Sequence, residues 1–66
     1  MTETQRLESF TVTEAARALG LRPSTVRAMI WRRRIAYHKI GSAVRISRAE
    51  IERILRESLV PVKEGH

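Results

Sequence analysis

Five arginines fall between Arg22 and Arg34, at positions 22, 27, 32, 33 and 34, with no acidic residue among them. Guanidinium groups at that density suit phosphate, because each is permanently charged and presents a planar fork of donors. Covalent chemistry needs a different set, and the chain holds little of it: no cysteine, no aspartate, and two histidines, His38 and His66, one of them the last residue. A lone imidazole in an expected strand is a packing or hydrogen-bonding group before it is a ligand. Gly20, Gly41 and Gly65 stand apart, so no glycine loop cradles a nucleotide. The expectation is a binding protein, not an enzyme, with no metal or cofactor.

The charge supports that reading and localises it. Thirteen basic and seven acidic side chains give +6, and eleven of the thirteen are arginine. Three of the seven acids lie between Glu50 and Glu57, so the stretch from Glu14 to Glu50 carries its bases almost unopposed. Nucleic acid is the leading partner class for such a surface; an acidic protein or a membrane surface is the alternative. At 66 residues the chain forms one domain with a modest core. No long apolar run or signal-peptide pattern stands in it, which leads to the expectation of a soluble, cytoplasmic, DNA-associated protein without membrane contact.

Positioning the arginines requires a helix. In LRPSTVRAMIWRRR, Pro23 presets φ at a first helical position, and Val26, Met29 and Ile30 recur at the helical period as a buried stripe. Ser24, Ala28, Trp31 and Arg32 then lie near the opposite side, with Thr25 and Arg27 at its edges. The helix should fade near Arg33.

Before it, residues 1–9 are polar and expected to fray, and Phe10-Thr11-Val12 can form a short edge strand or dock on the core. Thr13 is expected to cap a first helix over 14–19, in which Ala15, Ala16 and Leu19 pack and Gly20 supplies a left-handed end. Two short helices joined through that glycine have helix-turn-helix spacing. After them, IAYHKI and VRI read as a hairpin around Gly41-Ser42-Ala43. Alternation would turn Ile40, Val44 and Ile46 inward and leave Lys39 and Arg45 outside, a basic hairpin that either touches the ligand or covers the core's edge. Ser47 to Glu50 has capping-box spacing and opens a third helix over 48–58, with Ile51, Ile54 and Leu55 on one face. Leu59, Val60 and Val62 form an apolar tail over 59–66 that can pack on the third helix or meet another copy.

Trp31 and Tyr37 have two readings, packing between the second helix and the hairpin, which is the simpler, or stacking on a nucleic acid. Arg34 is likewise a phosphate contact or a solvated helix end.

Taken together, Thr13-Glu14-Ala15-Ala16, Pro23-Ser24-Thr25-Val26-Arg27, Ile40-Gly41 and Arg45-Ile46 leading into a capped helix resemble the excisionase-type, MerR-like winged helix-turn-helix domains of phage and bacterial DNA-binding proteins. The likeness spans about residues 10–57. It implies a mostly α fold of three short helices plus a wing, with a flexible 1–9, a DNA-binding domain over 10–58 and a tail. It also implies duplex DNA as the partner. The second helix would enter the major groove through Ser24, Thr25, Arg27 and Ala28, with Ser42 and Arg45 on the wing. The candidate DNA-binding set is completed by Arg22, Trp31, Arg32, Arg34 and Lys39. Two positions depart from the pattern: Arg22 replaces a helix-capping serine or threonine, a loss of about 1 kcal/mol, and Arg33 replaces the glycine that ends the helix. Excisionases are non-enzymatic proteins that bind and bend attachment-site DNA to help an integrase run excision, and the resemblance makes that role the expectation. A small AlpA-like or MerR-like transcriptional regulator is the nearest alternative, and an adaptor docking on an integrase the alternative of another class. Cooperative self-association on DNA through the tail is a further expectation.

Overall fold

A computed structural model describes residues 9–62. The expectations for the rest of the N-terminus and for residues 63–66, including His66, lie outside the described residues. Strand β1 (Ser9–Phe10) leads into helix α1 (Val12–Leu19) and helix α2 (Pro23–Trp31); strands β2 (His38–Ile40) and β3 (Ala43–Ser47) form the hairpin, and helix α3 (Arg48–Glu57) follows. The fold is a small winged helix-turn-helix, with three helices and an antiparallel sheet in the order β1-β3-β2.

Ala15 and Ala16 of α1, Val26 of α2, Ile46 of β3 and Ile51 of α3, with Ile35 from the segment before β2, make the buried core, and Phe10, Val12, Leu19, Met29, Ile30 and Ile54 pack around it. The two alanines let α2 approach α1 closely, and full burial of an aliphatic side chain the size of Val26 or Ile46 contributes about 1.5–3 kcal/mol. Helix α2 packs chiefly on α1, while the hairpin is carried by β3, which rests on α1 and α3. Residue Phe10 pairs with Ile46 across β1 and β3, and the Arg48 guanidinium carbon sits 5.5 Å from its ring centroid. Ser9, expected in a frayed terminus, is therefore part of the sheet.

Several boundaries differ from the sequence reading, each for a physical reason. Helix α1 starts two residues early because Thr11, not Thr13, is the cap. The Thr11 hydroxyl accepts from the Glu14 N–H at 3.1 Å, and the Glu14 carboxylate accepts from the Thr11 N–H at 2.9 Å. This reciprocal box satisfies two otherwise orphaned donors, which Thr13 could not do with an alanine three residues on. Helix α2 ends at Trp31 with Arg32 as its C-cap, close to the expected fade near Arg33. Residues 35–37 are not strand: Ile35 turns into the core and β2 begins at His38.

The hairpin register is also shifted. Ile40 pairs with Ala43 and Lys39 with Val44, so the loop is two residues, Gly41-Ser42, rather than three. Gly41 has φ 63 and no other loop residue is left-handed, the pattern of a type II′ turn that fits strand twist. Because facing residues share a side of the sheet, Ile40 joins Arg45 and Lys39 joins Val44, the reverse of the expected grouping. Ile40 is accordingly 65% exposed while Ile46 is fully buried. In α3, Ser47 caps as expected through Glu50 N–H at 3.0 Å, and Ser58 is the C-cap. Leu55 is exposed rather than packed.

Candidate nucleic-acid interface

Helix α2 separates a packed side from an open one. Val26 is buried, Met29 and Ile30 are half-buried, and Ser24, Thr25 and Arg27 are exposed, so the inward stripe and the outward polar face separate as the period requires. Ala28 is half-buried. Arg22 is the N-cap without a side-chain cap bond; its carbonyl accepts from Thr25 and Val26, which leaves an exposed guanidinium at the entrance of the helix.

The exit of α2 is more elaborate than periodicity suggested. Arg33 N–H donates to Ile30 O at 2.9 Å and Arg34 N–H to Met29 O at 2.8 Å. These crossed bonds close a Schellman motif whose left-handed residue is Arg33, φ 62. Arg32, Arg33 and Arg34 are all exposed. Trp31 is 85% exposed, so it does not pack between α2 and the hairpin, the simpler reading of its role. The gap has a cause: the hairpin rests mainly through β3 on α1 and α3 rather than on α2. Tyr37 is exposed on the segment before β2.

A set of charged groups absent from the sequence reading holds this exit. Glu50, 8% exposed, accepts the Ala36 N–H at 2.9 Å and the Arg53 Nε–H at 2.9 Å, and Arg53 Nη2 makes a further short contact with its Oε2. Arg53 also bonds Glu57 at 2.7 Å and reaches the Arg34 carbonyl at 3.4 Å. Glu50 therefore does not close the expected capping box on Ser47; its carboxylate is spent on the chain leaving α2. The Arg53 guanidinium holds the Glu50 carboxyl below its ordinary value, against the opposing effect of burial and with help from the Ala36 N–H, while the same pairing raises Arg53. The one sequence signal was an acid and an arginine at i and i+3 on α3; nothing in the sequence ties them to Ala36.

On the hairpin, Lys39 and Ser42 are exposed, and Arg45 is half-buried with its Nη1 donating to the Val44 carbonyl at 2.9 Å. Among the described residues, no group of three or more metal-binding side chains occurs and no helix is long and apolar enough to cross a membrane.

The geometry thus brings Ser24, Thr25 and Arg27 to an open helix face, with basic side chains at both ends of that helix and on the hairpin. No curated protein and no solved structure matches the chain. A helix-turn-helix domain family matches residues 9–58, from β1 through the end of α3. With three quarters of its length covered by that match, the chain belongs to the helix-turn-helix domain family, whose implied activity is DNA binding.

Proposed function

We propose that this protein is a sequence-specific, double-stranded DNA-binding architectural factor of the excisionase kind, acting by phosphate neutralisation and groove readout rather than by chemistry. The observation that carries the reading is the exposure of Ser24, Thr25 and Arg27 on the outer face of the second helix of a helix-turn-helix pair. Short hydroxyls and an arginine near a helix N-terminus are suited to base edges in a major groove. Arg22 at one end of the helix, Arg32 and Arg34 at the other, and Lys39 with Ser42 on the hairpin supply backbone contacts that fix its register. Trp31, mostly exposed, joins this set as a stacking or sugar contact, and Ala28 and Arg45 stand at its margin.

The partners proposed are duplex DNA, an integrase, and neighbouring copies along the DNA. The last rests on Leu59, Val60 and Val62, all exposed beyond α3. Deleting residues 59–66 is expected to abolish cooperativity and leave single-site binding.

Gel shifts on an attachment site and on the region upstream of the protein's own gene test the role. Preference for repeated sites in the attachment region, with bending, supports an excisionase; preference for the upstream region makes the protein a transcriptional regulator. Equal affinity for all duplexes removes the sequence-specific reading. Arg27→Ala should lose roughly 1–3 kcal/mol on the target if Arg27 reads a base, and less on other sequences.

A further inference from the structure

We propose that Arg33 is a DNA-phosphate contact, and that an open groove between the exit of α2 and α3 seats one stretch of phosphodiester backbone. The inference rests on the DNA-binding reading above and adds a residue and a subsite to it. Among the described residues Arg33 is the one non-glycine with positive φ. An L side chain there carries a steric strain that glycine would relieve, and such strain gathers where the side chain is wanted for function. Space is not the reason, since Arg33 is exposed and no core contact depends on it.

The surroundings say what the side chain is for. Arg33 and Arg34 line an open groove of about 820 Å³ together with Trp31 and Tyr37, with Glu50 and Arg53 at its back. Arg53 is matched by two carboxylates, Glu50 and Glu57, so its charge is occupied. Arg33 and Arg34 have no hydrogen-bonded or ion-paired side-chain partner among the described residues, so the groove's attraction for an anion falls on them. The aromatic walls are exposed, Trp31 almost wholly, and suit the sugar faces that flank a phosphate. The groove itself is fixed: Glu50 holds Ala36 N–H and Arg53 reaches Arg34 O, while the Schellman bonds pin Arg33 and Arg34 from the other side. A rigid cationic seat of this kind positions the duplex without reading its sequence.

The test compares Arg33→Gly and Arg33→Lys with the unaltered protein, measuring thermal unfolding and the salt dependence of affinity for one duplex. Arg33→Gly keeps the backbone conformation, so its unfolding temperature is expected to stay level or rise. Its affinity should fall roughly tenfold, and the slope of log K against log salt should shrink by about 0.9, the value of one phosphate contact. Arg33→Lys should retain that slope. Unchanged affinity and slope in Arg33→Gly would overturn the proposal, as would a Lys variant that loses as much as the Gly variant, or a Gly variant that loses unfolding temperature in step with affinity. A salt-insensitive unaltered protein would overturn it too, and in that case the DNA-binding reading falls with it.

Discussion

Helices α1 and α2 end in the same geometry, and they reach it with opposite residues. After α1, Gly20 takes φ 71 and the N–H groups of Gly20 and Leu21 return to Arg17 and Ala16. After α2, Arg33 takes φ 62 and the N–H groups of Arg33 and Arg34 return to Ile30 and Met29. A glycine needs no help to sit there. An arginine does, and the α2 end has what the α1 end lacks: Glu50 and Arg53 of α3 grip the chain at Arg34 and Ala36, immediately after the strained residue. One end is held by local chemistry and the other by a long-range tether, and the tethered one carries the arginines.

Removing the tether should give the largest effect. Glu50→Ala leaves the Ala36 N–H without its partner and is expected to destabilise the fold by about 2 kcal/mol. In a domain this small that lowers the unfolding temperature by roughly 10 °C, read by circular dichroism. The first helix end should respond to a change that the second ignores. Gly20→Ala introduces the left-handed penalty and should cost about 1 kcal/mol, although a Cβ there meets no neighbouring atom. Arg33→Ala exchanges one L residue for another and should leave stability nearly unchanged. Equal losses at both positions would dissolve the contrast.

The helix starts offer a smaller version of the same contrast. Thr11 caps α1 with a reciprocal box while Arg22 caps α2 with no side-chain bond. Arg22→Ser should therefore gain about 0.5–1 kcal/mol in denaturant unfolding and weaken DNA binding by one phosphate contact. Acid should weaken the tether less than its removal does. The Glu50 carboxyl is held below its ordinary value in the folded chain. The unfolded chain therefore binds its proton first as pH falls, so the contribution is whole above the ordinary carboxylate range and drains away as pH drops through the folded value. A protonated carboxyl still accepts the Ala36 N–H, which keeps the loss below that of Glu50→Ala. Stability that falls less steeply with acid in Glu50→Gln than in the unaltered protein would locate the effect at this residue.

Much of the architecture was legible in the sequence because it is local. Pro23, the Val26 period, Gly20 and the Ser47 cap act within a turn or two of themselves, and each stands where its chemistry places it. The Thr11 cap was legible too, since Thr11-Val12-Thr13-Glu14 has the box spacing, but a second threonine two residues on offered a competing start. What the sequence hid was non-local. A hairpin's register turns on loop length, and Ala43 reads equally well as a loop or strand residue, so one residue's difference moved Ile40 and Lys39 to opposite faces. Trp31 was expected to pack because large aromatics usually do; its exposure depends on which helices carry the hairpin. The outward residues of α2 followed from the helical period, whereas the grip of Glu50 on Ala36, 14 residues away, has no signature in the chain.

The proposed DNA binding rests on a cationic surface, centred on α2 and its exit, engaging the phosphates of duplex DNA. It is tested most directly by measuring affinity for one duplex from about 50 to about 200 mM salt. With four or more phosphates contacted, the association constant should fall by roughly a hundredfold or more. An affinity that barely changes across that range would contradict it.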